Sequence, residues 1–468
     1  MSLFSHRNFN LFLLFLIVFL SRIPFLDAGY GVEEDSWGIA LEAYNTNMSG
    51  EYEPSRLPGH PVQEIPLSAL WLMGPVMFNA LSAFFSALGA LFFALILTQL
   101  NFRFYILAAF AFAFIPVYFI SSTYTIDFVW TQAFVLISLY LLLNEKLVMC
   151  GVFLGLAVGC RITSGAMIIP FMIIVWQQNN FRENFTRFLR ISVPMGIVAI
   201  SSFVPVMQKY GLSFFMYYDQ FPYPPLTKVL YKMSIGAFGF IGIVAIGFGL
   251  FAAVLNRKYQ SAGKLFSRIP DKKVLLASAV VIVLYIISYF RLPQKSGYMM
   301  PVLPFLILLF GYYLNARNFK ILCFAFIASS FICSINLTDK LRGAAYSKFA
   351  ATFNISGQEI FFDPISGPLF SDYSKRKQKI RYTNEVIEQS TAISKKTVII
   401  CGWWYNEITV TMIPMQKNPM VTFETYIDSD KINRYIAEGN EIVYLPEQEI
   451  YNDQMYRMNI TPKIAKPF

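Results

Sequence analysis

The sequence predicts a polytopic α-helical membrane protein that ends in a small α/β domain. Three observations lead there. Hydrophobic residues make up 56 % of the 468 and charged residues only 14 %, where a soluble globular chain carries about 25 % charged. The apolar residues gather into about eleven stretches within residues 1–335 that read as transmembrane helices. From about Asn336 onward, charged and polar residues return. Aromatics reach 17 %, with 47 Phe, and a soluble fold would have to expose much of that mass. A wholly soluble enzyme, a disordered chain and a disulfide scaffold are excluded.

The expected spans are 9–26, 67–98, 102–120, 128–143, 147–160, 163–176, 191–206, 229–254, 274–290, 300–314 and 319–335. The first follows a basic start, His6 and Arg7, and no small-residue cleavage site comes after it. It reads as a retained helix rather than a cleaved signal peptide. The second is long enough to begin as an interfacial helix. The fifth and sixth are short and flank Arg161, as two crossings or one bent hairpin.

Charge sets the expected orientation. With the N-terminus cytoplasmic, inner loops hold Arg103, Lys146, Arg182, Arg187, Arg190, the run from Arg257 to Lys273, Arg317 and Lys320. Outer short loops hold fewer basic residues, chiefly Arg161, Lys209, Lys228, Arg291 and Lys295. The net charge of +10 is therefore mainly an orientation signal, and a nucleic-acid partner is dropped. An odd number of crossings leaves residues 336–468 outside. There Thr397–Gly402 and Glu441–Leu445 read as strands, and Asn384–Ala392 and Lys431–Ala437 as helices. This is an extracytoplasmic α/β domain of about 130 residues. The five cysteines form no CxxC pair, so neither a disulfide framework nor a zinc site is expected. Asn47, Asn336, Asn354 and Asn459 each open a glycosylation triplet on the expected outer face.

Ionisable residues at the edges of spans are the informative ones, because burying them is costly. The large first outer loop, residues 27–66, is the densest such region. Glu33, Glu34 and Asp35 open a helix-like stretch there. The helix dipole favours acids at that place, and a carboxylate there also suits a general base. Arg56 and His60 follow in a Pro-rich segment, where Glu64 is expected to pair with Arg56 in a structural role. Asp127 precedes the fourth span, as a cap or as a substrate contact. Arg161 either snorkels to the interface or binds phosphate.

Four segments together resemble the GT-C superfamily of polytopic glycosyltransferases, which includes protein O-mannosyltransferases and lipid A aminoarabinose transferases. Glu34-Asp35 followed by Trp37 is similar to the acidic pair of the family's first outer loop. Gly50-Glu-Tyr and Arg56-Leu-Pro-Gly-His-Pro are similar to its "G-x-Y … R-x-P-G-Y-P" run. Gly155-Leu-Ala-Val-Gly-Cys-Arg-Ile-Thr is similar to "G-L-A-x-x-x-R-x-T". Gly297-Tyr-Met-Met-Pro-Val-Leu-Pro is similar to "R-Y-x-x-P-x-x-P", with Gly297 in place of the Arg and Lys295 two residues earlier.

The resemblance implies a sugar donor carried on polyprenyl phosphate and a lipid, glycan or protein acceptor at the extracytoplasmic face. It implies inversion at the anomeric carbon, with Asp35 or Glu34 as base. Arg56, His60, Asp127, Arg161, Lys295 and Tyr298 become substrate contacts, with Arg161 and Lys295 toward the phosphate. No cofactor is required by the sequence. An acidic loop of this kind can hold Mg²⁺ or Mn²⁺, but no ligand set is diagnostic. A bacterial inner membrane is favoured over an endoplasmic reticulum. The alternative is a solute or lipid transporter or flippase. It fits less well, because the ionisable residues gather at the outer edge and no internal repeat is evident.

Overall fold

The protein is described from a computed structural model. The described residues are 6–178, 180–212, 223–258, 264–268, 270–337, 347–355, 358–425, 429–445 and 465–467. The Asn459 triplet and parts of the basic run between Arg257 and Lys273 lie outside them. In chain order the helices begin with α1 (His6–Leu20), α2 (Glu34–Ser49), α3 (Pro61–Ala69), α4 (Gly74–Gln99), α5 (Tyr105–Phe114) and α6 (Pro116–Ser121). Then come α7 (Phe128–Leu143), α8 (Leu147–Cys160), α9 (Ile168–Val175), α10 (Phe181–Tyr210), α11 (Leu226–Met233) and α12 (Ile235–Lys258). After α13 (Lys272–Arg291), α14 (Val302–Tyr313) and α15 (Ala316–Ala328), strands β1 (Ser334–Leu337), β2 (Ala351–Ile355) and β3 (Gln358–Asp363) appear. The chain closes with α16 (Pro368–Thr391), β4 (Thr397–Ile400), α17 (Tyr405–Met412), β5 (Val421–Glu424), α18 (Ser429–Ala437), β6 (Glu441–Tyr444) and β7 (Ala465–Pro467).

Each of the eleven expected apolar stretches contains a helix, but their lengths differ, and the last, expected to reach 335, ends its helix at Ala328, with Ser334 and Ile335 already in β1. Among the described residues, five helical stretches are long and apolar enough to cross a membrane: His6–Phe25, Trp71–Gln99, Phe181–Tyr210, Ile235–Leu255 and Lys272–Arg291. The other six expected stretches form shorter helices. Pro116 divides one of them into α5 and α6, since proline can neither donate to the helix ladder nor clear the preceding turn. Side-chain caps start several helices: Asn180 accepts from the Glu183 amide at 3.1 Å, Asp271 from Lys273 at 2.9 Å and Asn315 from Asn318 at 2.9 Å. The outward faces of α10, α12 and α13 carry exposed Ile200, Val254 and Ile287, as a lipid-facing surface does. The long second stretch does begin separately, with α3 and a 3₁₀ turn at Trp71–Met73.

α8 packs closely on α10 because glycines leave room. A Cβ at Gly151 would stand 2.3 Å from the Ile191 carbonyl oxygen, and one at Gly155 would stand 2.7 Å from Val198 Cβ. Small residues four apart permit such approach between apolar helices.

Two sheets form in the C-terminal region. The four-stranded sheet has order β5-β4-β6-β7 and is parallel throughout, with Ile399 paired to Phe423 on one side and Val443 on the other. Its core holds Ile399, Trp404, Ile408 and Val443. A three-stranded antiparallel sheet, β1-β3-β2, joins it to the helices. The sequence reading did not contain that sheet, nor the first four turns of α16. This region docks on the end of the bundle that carries the acidic loop. Arg376 of α16 is buried and donates to the Thr123 carbonyl at 3.1 Å and the Thr123 hydroxyl at 2.9 Å. Lys379, one turn on, donates to the Val32 carbonyl at 3.1 Å and pairs with buried Glu407 at 3.0 Å.

Candidate active site

The site is assembled from five places in the chain. Glu33 has extended backbone and precedes α2, so Glu34 and Asp35 occupy the first turn of that helix. The dipole there stabilises negative charge. The Pro-rich loop that follows is pinned by Glu64 of α3. Its carboxylate accepts from the Tyr52 and Ser55 hydroxyls and from the His60 backbone amide at 3.1 Å. Glu64 is thus structural, but its partners are these groups and not the expected Arg56, whose guanidinium turns to Asp35 and Asp127.

Acids and cations then alternate in a ladder. Lys295 pairs with both Glu33 and Asp35. Arg56 pairs with Asp35 and reaches Asp127 at 3.5 Å. Asp127 pairs with Arg161, and its carboxylate lies 3.7 Å from His60 Nδ1. Asp127 is fully buried where α7 begins, yet makes no side-chain cap there. Burial alone would raise its proton affinity, but Arg161, His60 and Arg56 outweigh that and hold it below the usual carboxylate range. Burial lowers the His60 proton affinity, against the pull of Asp127, and favours the neutral imidazole.

Arg161 ends α8 in extended backbone. Its guanidinium packs against both the Phe128 ring at 4.3 Å and the Tyr298 ring at 4.7 Å, which meet edge to face at 5.8 Å, so the ring pair and Asp127 together restrain it. The close fit of this corner accounts for Gly297. A Cβ there would stand 2.4 Å from the Phe128 ring, so the Arg of the resembled motif has no room. Lys295 faces the acids instead.

These side chains border a cavity of about 490 Å³. Arg161, Arg291, His60, Gln132, Tyr285 and Tyr298 line it, with Phe128, Leu292 and Met300 supplying apolar wall. Asp35 and Lys295 stand outside the wall and connect to it through Arg56 and Asp127. The Glu34 side chain makes no ion pair or hydrogen bond among the described residues. Burial pushes its carboxyl up to about 7, against Lys379 and Arg56.

All eight site residues read from the sequence, Glu34, Asp35, Arg56, His60, Asp127, Arg161, Lys295 and Tyr298, fall in this one region. Sequence reasoning left out Gln132, Phe128 and Lys379. A glutamine within the apolar run of α7 is the kind of signal that could have found the first. Among the described residues no group of three or more His, Cys, Asp or Glu could hold a metal ion. Asp35 and Asp127 are each matched to protein cations, an arrangement that does not suit a divalent ion. No protein-family model matches the chain, and no curated protein matches it.

Proposed function

We propose that this chain is a membrane glycosyltransferase of the GT-C kind, with eleven crossings, a cytoplasmic N-terminus and an extracytoplasmic C-terminal domain. One observation carries the reading. A guanidinium held rigid by Asp127 and two aromatic rings faces a mostly apolar cavity beside a cluster of carboxylates. That combination suits a substrate with a lipid tail, an anionic centre and a nucleophilic acceptor.

In this reading the acceptor oxygen attacks the anomeric carbon from the face opposite the phosphate. The bond from that carbon to the phosphate oxygen breaks, and its electron pair leaves with polyprenyl phosphate. Arg161 receives the growing negative charge through a planar fork. The hydroxyl proton passes to a carboxylate of α2. Glu34, with a proton affinity near neutral, is suited to take it. Asp35, held between Arg56 and Lys295, orients the acceptor.

The test is sugar transfer from a polyprenyl-phosphate donor by membranes carrying Glu34→Gln or Asp35→Asn. Loss of transfer supports the mechanism; full activity in both removes it. Ion-dependent solute uptake by proteoliposomes without transfer would favour a transporter.

A further inference from the structure

Two residues that line the cavity carry polar atoms that phosphate binding does not use. His60 is 3 % exposed, and its Nδ1 lies 2.6 Å from the Cys160 carbonyl oxygen. A carbonyl only accepts, so Nδ1 carries the proton, as the Asp127 carboxylate near it also favours. Nε2 is then a bare lone pair. It is buried and has no partner in the protein, and His60 lines the cavity. Gln132 of α7 lines the same cavity at 1 % exposure, and neither its amide nitrogen nor its amide oxygen has a partner. An unpaired buried polar atom is destabilising, because it has lost its water partners and gained none. Three such atoms on two residues that line one cavity call for an occupant that pairs with them.

Their chemistry selects the occupant. Nε2 accepts, the Gln132 oxygen accepts and the Gln132 nitrogen donates. An anion cannot donate to two acceptors, and an apolar tail satisfies none of the three. Neighbouring hydroxyls on one ring donate and accept in this pattern. We infer that His60 and Gln132 form a subsite that reads hydroxyl groups of a neutral sugar ring, apart from the Arg161 anion contact. The inference rests on the carrier-linked donor proposed above. It makes His60 and Gln132 the residues that distinguish a sugar-loaded carrier from the spent one. The spent carrier then leaves because it keeps the Arg161 contact and loses these three bonds.

The experiment measures binding of two probes to the purified full chain by native mass spectrometry: polyprenyl phosphate and polyprenyl-phosphate hexose. Gln132→Met keeps the length of the side chain and removes both polar atoms. It is expected to weaken the hexose-linked probe about tenfold, or about 1.4 kcal/mol, and to leave bare polyprenyl phosphate within about twofold. The unliganded Gln132→Met chain is expected to melt above the wild type, because an unpaired buried amide has gone. His60→Ala gives the same discrimination, restored toward wild type by added imidazole. Equal weakening of both probes, or of neither, overturns the subsite while leaving the carrier reading intact. A wild-type chain that binds neither probe overturns both.

Discussion

Substituting Asp127→Asn leaves two guanidinium groups facing a neutral amide. The Asp127 side chain is fully buried, and those of Arg56 and Arg161 are 11 % and 15 % exposed. Removing one partner of a buried ion pair costs about 3–5 kcal/mol. Arg56 keeps Asp35, so the loss falls mainly on Arg161, and the low end, about 3 kcal/mol, applies. Arg161→Met does the reverse and leaves Asp127 with Arg56 at 3.5 Å. Because each substitution strands the other group, the double variant costs less than the sum, by about 2 kcal/mol. The assay is unfolding of the purified chain in detergent, followed by circular dichroism, for the wild type, both single variants and the double. Additivity to within about 0.5 kcal/mol would refute the argument that these two groups hold each other in place.

Glu34 titrates at about 7 in the folded chain against an ordinary 4.5. Between those values the folded state keeps a proton that the unfolded state has released, so stability falls as pH rises through that window. Glu34→Gln removes the fall, and thermal melts should place it above the wild type at about pH 8 but not at about pH 4. If Glu34 is the base, transfer by the wild type declines as pH drops below about 7, which a pH–rate profile reads directly. Glu64→Leu leaves the Tyr52 and Ser55 hydroxyls and the His60 amide without their acceptor. It should lower the melting temperature by the equivalent of about 1–3 kcal/mol or more. All five native cysteines are buried, so a single introduced cysteine reports orientation. Glu51→Cys should react with an impermeant maleimide on intact cells, and Arg182→Cys only after permeabilisation.

The helices were legible because apolar run length is a local property, and so were the charged residues at their ends. The pairing among those residues was not. Lys295 and Asp35 are 260 positions apart, and nothing in either neighbourhood says that the lysine would face acids and not a cavity. Gly297 looked like a lost arginine; the Phe128 ring against it shows a packing requirement. The β1-β3-β2 sheet escaped because its register is set by distant partners, Ser334 against Asp363. The start of α16 escaped because Pro368–Thr391 is polar and charged over most of its length, and its buried Arg376 and Lys379 look like surface residues in sequence. Gln132 shows the same limit from the other side: the sequence shows a polar residue in an apolar helix, and only the cavity shows what it faces.

The most direct measurement is the rate of sugar transfer from a polyprenyl-phosphate donor in membranes bearing wild type, Glu34→Gln or Asp35→Asn. General base catalysis contributes about 10²–10⁴-fold, so the account predicts a fall of at least about 100-fold for Glu34→Gln. It predicts a clear fall for Asp35→Asn, whose carboxylate anchors Arg56 and Lys295. Wild-type rates in both variants would contradict it.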